Sequence, residues 1–300
     1  MFISNALLLM ERADFLSNID LFALINSRYN AFTNTERKVA DFIKENGRDV
    51  LYMSITDLAE ACNAGESSIF RFCKALDLKG YQEFKIVLAH SVSIEDETPP
   101  QISGEITLND SIEELSSKIL ASNIEAVTET YNLLDVEHIQ AATELLVHAN
   151  RIHFFGVGSS GVSALEAKNK FMRITNKTEF STDVHFQMMS AALMEEEDVA
   201  VIFSYSGSTK DAIEIAEVVK EKGAKIIVIT RFAKSPLTAF SDVTLLCGGR
   251  EGPLQGGSLS VKSSQLYILD LLYYSFIKET KTHSIKNKEL TAQSIITKVL

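Results

Sequence analysis

Two segments rich in glycine and hydroxyl side chains have the composition of phosphate-binding turns. The first is Gly156-Val157-Gly158-Ser159-Ser160-Gly161, and the second is Ser204-Tyr205-Ser206-Gly207-Ser208-Thr209. Each follows a short apolar run and precedes a helical pattern, so the free N–H groups of a helix N-terminus would accompany the hydroxyls. Because serine and threonine donate to phosphate oxygens without adding charge, a phosphomonoester could be bound there reversibly, and no lysine is required.

The first segment is also compatible with a dinucleotide. It is a literal G-x-G-x-x-G, and Asp183 lies near the end of the next predicted strand, where a dinucleotide fold places its ribose-binding acid. A dinucleotide site, however, holds its pyrophosphate on one glycine-rich turn, whereas this chain offers two similar turns. Both would lie at the carboxyl edge of a doubly wound sheet and could converge on one small anion. The pair therefore favours a phosphorylated small molecule over NAD.

Other polar residues could contribute to such a site. His185 could contact a sugar or act in acid–base chemistry, although a lone histidine at a helix start is often a cap. Glu251 lies in the glycine-rich segment 248–257, which could be a flap over the ligand or a plain surface loop. No His/Cys/Asp/Glu group has metal-ligand spacing, so we expect neither a metal nor a cofactor.

The segment that positions these turns has an α/β pattern. Short apolar runs predict five strands, at 152–157, 179–182, 199–204, 225–230 and 243–247. Helical patterns lie between most of them, which predicts a doubly wound, mostly parallel sheet. Two helices, at about 110–134 and 136–149, come before the first strand, and an apolar helix at about 262–277 closes the domain. We place this domain at 110–280 and a polar C-terminal tail at 281–300.

The first 90 residues have an all-helical pattern. A capping box at Thr33–Glu36 starts one helix, for which Asn46-Gly47 is the predicted end. A second helix starts at Ser54, and a third starts at Gly65 after a tight turn. This sequence of short helices is typical of a small helical domain.

The third helix has two different faces. Ile69, Phe72 and Leu76 recur at helical spacing and would face a core. Polar side chains project away from that core: Glu66, Ser67, Arg71 and Lys74. Such a helix suits docking in the major groove of DNA, but a solvated helical bundle would show the same pattern. These features alone leave both interpretations open.

A change in composition separates the two parts of the chain. Segment 91–109 contains Pro99-Pro100, Gly104 and several acids, with few large apolar residues. This composition indicates an exposed linker. We therefore expect a helix-turn-helix domain at 1–90, with a core at about 33–88.

The N-terminal part resembles the DNA-binding domain of RpiR-type regulators. The matching stretches are Ser54-Ile55, Asp57-Leu58-Ala59, Ser68 to Lys74, and Leu76 to Tyr81. Gly65 departs from the family, which usually has a serine as helix N-cap there. The resemblance implies that base or groove contacts come from Ser67, Ser68 and Arg71, and backbone anchoring from Lys74 and Lys79. Phe70 and Phe72 are expected to be packing residues.

The C-terminal part resembles the sugar-isomerase (SIS) domain over about residues 110–278. The resemblance rests on both glycine–hydroxyl segments, on Asp183-Val184-His185 with Gln187, and on Ser235-Pro236-Leu237. It implies a phosphosugar site formed by Gly158, Ser159, Ser160, Ser204, Ser206, Gly207, Ser208, Thr209, His185 and Glu251.

Together the two resemblances imply a transcriptional regulator whose affinity for operator DNA responds to a phosphorylated sugar. We expect it to act as a homodimer or homotetramer and not as an enzyme. The alternative is an SIS-class sugar-phosphate isomerase or amino-sugar-phosphate lyase, in which His185 or Glu251 would be the base. The fused helix-turn-helix segment distinguishes the two, because a stand-alone isomerase has no use for it.

The bulk composition is compatible with this hypothesis. A length of 300 residues favours two domains, and 46% hydrophobic with 23% charged residues excludes a disordered chain. The net charge of −11 is uneven: residues 1–90 carry 10 Lys/Arg against 12 Asp/Glu, and the remainder carries 19 against 28. Contact with DNA must then be local and salt-sensitive. Three cysteines without pairing, and no signal or membrane segment, predict a cytoplasmic protein.

Overall fold

The computed structural model describes residues 19–95, 101–103 and 106–298. Within these residues the chain divides into two compact units. The N-terminal unit contains the described residues of Met1–Lys118 and of Glu251–Gly256, and the C-terminal unit contains those of Ile119–Arg250 and Gly257–Leu300. Residues 96–100 and 104–105 of the predicted linker lie outside the described residues, as do residues 1–18.

Capping boxes position the first helices of the N-terminal unit. Its helices, numbered from the first that is described, are α1 (Leu21–Arg28), α2 (Asn34–Val50), α3 (Ile55–Ala61), α4 (Glu66–Ala75) and α5 (Tyr81–Glu95). The hydroxyl of Thr33 accepts the N–H of Glu36, whose carboxylate accepts the Thr33 N–H in return. Ser54 and Asp57 form the same reciprocal pair at the start of α3. Both predicted helix starts are confirmed.

The predicted end of α2 at Asn46-Gly47 is wrong. The helix continues to Val50 and only kinks at Asn46, where φ is −128° and ψ is 28°. The side-chain amide of Asn46 donates to the Phe42 carbonyl at 3.0 Å, one turn earlier in the helix. Val50 is fully buried beyond the kink, so burial of this side chain favours the further turn of helix.

The core of the N-terminal unit fixes the rotation of α4 about its axis. Ile69, Phe72 and Leu76 are all buried, as their spacing predicts. The Phe72 ring packs against Phe32 and Phe84, with centroids 5.2 and 6.2 Å away. Aromatic pairs at these separations add to the free energy gained by burial alone. The opposite face of α4 therefore points to solvent.

The segment around the predicted linker contains regular structure that the sequence did not indicate. Helix α5 extends to Glu95, and strand β1 (Gln101–Ser103) pairs antiparallel with β2 (Ile106–Thr107). These strands are too short to show an alternating pattern. Helices α6 (Ile112–Asn132) and α7 (Val136–His148) then follow, close to their predicted limits.

The C-terminal unit contains a five-stranded sheet in which all pairings are parallel, as predicted. Its strands are β3 (Ile152–Gly156), β4 (Thr178–Phe180), β5 (Val199–Phe203), β6 (Lys225–Thr230) and β7 (Val243–Leu246). The described helices around it are α7, α8 (Ser159–Phe171), α9 (Val184–Ala192), α10 (Lys210–Glu221) and α11 (Leu259–Ile295). Strands β3 and β5 are buried along their whole length, which explains their continuous apolar sequences.

Helices cover both faces of this sheet. One core joins α7, α8 and α11 to alternate strand residues such as Val201 and Phe203. The other joins α10 and the end of α9 to the residues between them, such as Ala200 and Ile202. Because side chains alternate across a strand, the two cores lie on opposite faces of one sheet. The fold is a three-layer α/β/α arrangement.

The strand order produces a topological switch point at one place on the sheet edge, which in open α/β folds marks a crevice between strand ends. The order is β4-β3-β5-β6-β7, so the chain turns to one side after β3 and to the other side after β5. The last residues of these strands, Gly156 and Phe203, are direct partners in the parallel register. In open α/β sheets, ligands bind at such a switch point, outside the carboxyl ends of the strands.

The closing helix is longer than the sequence predicts. α11 continues from Leu259 to Ile295, past the predicted limit near 277, with a break at Lys281. The side-chain amide of Asn287 donates to the Ile174 carbonyl at 2.9 Å, and the Thr291 hydroxyl donates to the Arg173 carbonyl at 3.1 Å. These polar side chains attach the end of α11 to the residues after α8, which is a long-range contact that the polar sequence does not reveal.

The three cysteines are buried free thiols. Burial raises the pKa of Cys62 to about 11 and, together with smaller effects of nearby groups, those of Cys73 and Cys247 to about 12. Uncharged thiols of this kind behave as small apolar side chains.

Two absences apply to the described part of the chain. There, no helix combines the length and the apolar character needed to cross a bilayer. The same residues contain no group of three or more His, Cys, Asp or Glu side chains arranged to bind a metal ion.

Candidate ligand site and nucleic-acid interface

The first loop (residues 157–160) connects β3 to α8 at the switch point. Gly158 has φ +59° and forms the N-cap of α8 without a side-chain hydrogen bond, and a Cβ added to it would meet nothing within 4 Å. A Cβ on Gly156, by contrast, would lie 2.7 Å from the Ser160 carbonyl oxygen, so the loop folds tightly onto the strand end. Ser159 and Ser160 are half-buried at the start of the helix. The space beside Gly158 is therefore open to a ligand.

The second loop (residues 204–209) connects β5 to α10. Ser204 is buried, and its hydroxyl has no hydrogen-bond partner among the described residues. Ser208 donates its N–H to the Ser206 hydroxyl at 3.2 Å. Thr209 precedes α10 without capping it through its side chain. A buried hydroxyl without a partner carries a desolvation cost that a bound acceptor would relieve.

The sheet places the two loops side by side. Gly156 and Phe203 are register partners, so each loop begins one residue beyond a paired position. The helices that follow, α8 and α10, contribute to cores on opposite faces of the sheet. Their N-termini thus flank the crevice between β3 and β5, and each adds backbone N–H groups and partial positive charge. Both loops offer hydroxyl and amide donors, and neither contains a carboxylate. The crevice is therefore suited to a small anion.

A hydrogen-bond network anchors Tyr205 of the second loop. The Tyr205 carbonyl accepts hydrogen bonds from the Thr230 hydroxyl at 3.1 Å and from the Arg231 N–H at 3.0 Å. The Tyr205 hydroxyl donates to the Gly249 carbonyl at 3.0 Å. Glu129 on α6 accepts the Gly249 N–H at 2.8 Å and pairs with Arg231 at 2.6 Å. Glu129 therefore fixes both Arg231 and Gly249, the two residues that hydrogen-bond to Tyr205 through its carbonyl and its hydroxyl.

Glu129→Gln is expected to lower the free energy of unfolding by about 1–2 kcal/mol at pH 7, because both hydrogen bonds lose their charged acceptor. Burial raises the pKa of Glu129, but the Gly249 N–H, Arg231 and Arg250 together bring it below its ordinary value of 4.5. The carboxylate thus stabilises the fold above pH 4.5, and this contribution is lost as the pH falls below that value. Urea titrations from pH 7 down to pH 3 measure it.

The matched control for this prediction is Glu125→Gln, an exposed glutamate on the same helix. It should leave stability almost unchanged at every pH. Equal acid sensitivity of the wild-type protein and Glu129→Gln would contradict the assigned role.

The polar residues Asp183 and Gln187, which follow strand β4, are hydrogen-bonded within the fold. Asp183 caps α9 by accepting the N–H groups of His185 and Phe186 at 2.9 and 3.2 Å. Gln187 is buried and clamps the end of β3: its amide nitrogen donates to the Gly156 carbonyl, and its oxygen accepts the Gly156 N–H. Asp183 is thus occupied as a helix cap, which disfavours the dinucleotide alternative.

The remaining predicted ligand residues are placed differently. The His185 side chain is exposed at the start of α9. Glu251 belongs to the N-terminal unit, whereas both loops belong to the C-terminal unit. The structure of either unit alone therefore does not bring Glu251 to the loops.

Sequence reasoning missed Lys262, in the first turn of α11. Its ammonium donates to the Gly257 carbonyl at 3.0 Å. A Cβ on Gly257 would lie 3.6 Å from that ammonium and 3.4 Å from the Ser159 hydroxyl, so Gly257 brings Lys262 close to the first loop. The sequence signal that could have indicated Lys262 is a single cation at the start of a helix that follows a glycine-rich segment. The hydroxyls of Ser263 and Ser264, which follow Lys262, donate to the Asn123 side chain and to the Ala126 carbonyl of α6.

The exposed face of α4 carries the predicted DNA-contacting residues. Ser67, Arg71 and Lys74 are exposed and Ser68 is half-buried, while Lys79 is exposed in the turn before α5. The Arg71 guanidinium donates to the Ser68 hydroxyl at 3.0 Å, which orients it along the helix. Gly65 forms the N-cap of α4 without a side-chain hydrogen bond.

Phe70 is not the packing residue that the sequence predicts. It is 45% exposed, whereas Phe72 is fully buried as expected. The Lys74 ammonium lies 5.2 Å from the centroid of the Phe70 ring. Since the buried residues of α4 fix its rotation, Phe70 is left at the border of the polar face.

These features define the class of protein. The chain joins a small helical unit, which exposes one helix, to an α/β unit with hydroxyl side chains at its switch point. This is the organisation of a helix-turn-helix transcriptional regulator with an SIS domain. A family model described as the helix-turn-helix domain of the rpiR family matches residues 19–95, and the SIS domain matches residues 145–275. The chain belongs to the RpiR family of transcriptional regulators.

Relatives match along most of the chain. An HTH-type transcriptional regulator of Caldanaerobacter subterraneus is 35% identical, over 91% of this chain and 96% of the relative. HexR of Pseudomonas aeruginosa, also an HTH-type transcriptional regulator, is 35% identical over 75% of this chain and 78% of its own. The structure of Vibrio vulnificus NanR complexed with ManNAc-6P is similar with a TM-score of 0.81 and 27% identity, and covers 92% of this chain and 98% of NanR.

Proposed function

We propose that this transcriptional regulator binds a phosphorylated sugar between the first and second loops, and that its affinity for operator DNA changes when the sugar binds. The observation that carries the proposal is the pairing of Gly156 with Phe203, which sets two hydroxyl-bearing loops and two helix N-termini around one crevice. NanR, of similar fold, is known in complex with ManNAc-6P. This complex supports the proposal of a ligand of the same class for this chain.

Each part of the crevice has a role in this proposal. Gly158 and Gly207 allow the loops to approach the phosphate with positive φ angles. Hydroxyls that donate to the phosphate are those of Ser159, Ser160, Ser204, Ser206, Ser208 and Thr209. Lys262 adds charge beside the first loop, and His185 is assigned to the sugar hydroxyls. The phosphate then supplies most of the affinity, and the sugar supplies specificity.

The DNA-binding half of the proposal assigns α4 to the major groove. Ser67, Ser68 and Arg71 contact base edges, and Lys74 and Lys79 contact phosphates. Because the whole chain has a net charge of −11, affinity depends on these few cations and should fall steeply with salt.

We further propose that the protein acts as a homodimer or homotetramer in the cytoplasm. Large apolar side chains are exposed on or beside helices of the C-terminal unit: Ile124 on α6, Val162 on α8, Met172 at the C-cap of α8, and Tyr274 on α11. A contiguous apolar patch formed by such side chains would mark a subunit interface. A two-fold dimer would present two copies of α4 to a palindromic operator.

The sugar is proposed to be a ligand and not a substrate. The relatives above are named as regulators, and an isomerase would need a base over the C1–C2 region of the sugar. Of the two candidates, His185 is exposed and Glu251 lies in the other compact unit. Turnover of a phosphosugar panel by the purified protein would instead support the isomerase alternative.

A thermal-shift screen tests the ligand. Phosphosugars that include ManNAc-6P should stabilise the protein, by about 2.7 kcal/mol at 100 times the dissociation constant, whereas the unphosphorylated sugars should not. Ser206→Ala and Thr209→Val should reduce the shift, because each removes a phosphate donor.

Ser294→Ala is the matched control, since this exposed serine bonds only locally within α11. Retention of the full ligand-induced shift in both loop variants would contradict the site. An effect of inorganic phosphate equal to that of every phosphosugar would show an anion site without sugar recognition.

A further inference from the structure

The exposed face of α4 contains a large apolar side chain that neither the core nor the proposed contacts explain. Phe70 is 45% exposed, in the middle of the helix. Among the side chains described in α1 to α5, no other large apolar residue reaches this degree of exposure. The ring cannot turn into the core, because the burial of Ile69 and Phe72 fixes the helix on either side of it.

The Phe70 ring is held in place although it is exposed. A Cβ on Gly80 would lie 3.4 Å from the ring, so the backbone of Gly80 forms a close support on one side. The Lys74 ammonium lies 5.2 Å from the ring centroid, within the range of a cation–π interaction. A side chain restrained in this way loses little conformational entropy when a partner covers it.

The neighbours of Phe70 on the helix surface are the residues assigned to DNA. Ser67 precedes it by three positions and Lys74 follows it by four, and residues at these spacings are adjacent on a helix. Arg71 is the next residue along the chain. A helix that brings Ser67 and Arg71 to base edges must bring the Phe70 ring into the same groove.

The major groove offers one apolar group to such a ring. The C5-methyl group of thymine projects into it, and apolar side chains including phenylalanine contact this methyl. The other groups that distinguish the bases there are hydrogen-bond donors and acceptors, which an aromatic ring would desolvate at a cost.

We propose that Phe70 determines operator specificity by packing against the C5-methyl group of a thymine in each half-site. The inference rests on the proposed DNA-binding role of α4 and adds a residue that reads bases by apolar contact. Phe70 would thereby distinguish thymine from cytosine at one position where no hydrogen bond is made.

Deoxyuridine substitution tests the contact directly, because it removes only the methyl group. The full-length protein first selects its operator from a random DNA library. Each thymine of a half-site is then replaced by deoxyuridine, and affinity is measured by fluorescence anisotropy for the wild type, Phe70→Ala and Phe70→Leu. The wild type should lose about fourfold in affinity per half-site at one thymine position, as expected for one buried methyl group. Phe70→Ala should bind both DNAs equally, and Phe70→Leu should keep part of the preference.

The outcomes separate this inference from the proposed function. If the wild type selects no operator, the DNA-binding function fails and the inference fails with it. If it selects an operator but no thymine shows a methyl effect that depends on Phe70, the inference alone is overturned. Thermal unfolding of the wild type and both Phe70 variants, measured in parallel, distinguishes a loss of preference from a loss of folded protein. Comparing two DNAs on the same variant also cancels any change in its folded fraction.

Discussion

Gly207→Ala is expected to lower phosphosugar affinity more than 100-fold and the free energy of unfolding by about 2–5 kcal/mol. Gly207 has φ +60°, which costs an alanine about 1–2 kcal/mol. The new Cβ would also lie 2.6 Å from the Ser235 Cβ and closer still to its hydroxyl. Relief of such overlap typically costs a further 1–3 kcal/mol. Isothermal titration with a phosphosugar that shifts the wild type, together with urea unfolding, measures both effects.

The loss of affinity follows from the place of Gly207 between two donor residues. A shift of the backbone here moves Ser206 and Ser208 together, and each hydrogen bond to a charged phosphate contributes about 1.5–3 kcal/mol. Two such bonds account for the 100-fold loss.

Gly158→Ala is the matched control for this prediction. Gly158 has nearly the same φ, +59°, but a Cβ there would meet nothing within 4 Å. The variant bears only the backbone strain and should lose less stability than Gly207→Ala. If both variants are equally stable, the close approach of Ser235 does not constrain the second loop.

Arg71→Ala should weaken operator binding at least 30-fold. A guanidinium that contacts a guanine contributes about 1–3 kcal/mol, and a dimer loses two such contacts. The Ser68 hydroxyl, at 3.0 Å, already orients the guanidinium in the free protein. Anisotropy titrations from 50 to 200 mM salt, on the operator selected by the wild type, give both the affinity and the number of charged contacts.

Two variants serve as comparisons for Arg71→Ala. Lys74→Ala should weaken binding to all DNA sequences alike and reduce the salt slope by about one per contact. Lys222→Ala removes an exposed charge of the C-terminal unit and should change neither affinity nor slope. A normal affinity of Arg71→Ala for the operator would exclude α4 as the recognition helix.

Local chemistry made part of this structure predictable. The helix starts at Thr33 and Ser54 follow from a hydroxyl and an acid three residues apart, and both partners lie within one turn. The sheet follows from apolar runs whose length suits only buried strands. The neighbouring position of the two loops follows from the parallel topology, without any knowledge of side-chain contacts.

Other features depend on contacts between residues far apart in the chain. Glu129 meets Gly249 across 120 positions, and no local pattern marks either residue. Asn46-Gly47 satisfied every local rule for a helix end, but burial of Val50 favoured a further turn. The exposure of Phe70 depends on how the whole helix is rotated by its core. Local patterns predict an element more reliably than they predict its neighbours.

The buried thiols also bear on which chemical signals this regulator can sense. With a pKa of about 11 or 12, the cysteines Cys62, Cys73 and Cys247 form almost no thiolate at neutral pH. Peroxides and electrophiles react with thiolates, so these sulfurs are poor targets for them. Direct oxidation of these three cysteines is therefore not expected to act as a switch in this protein.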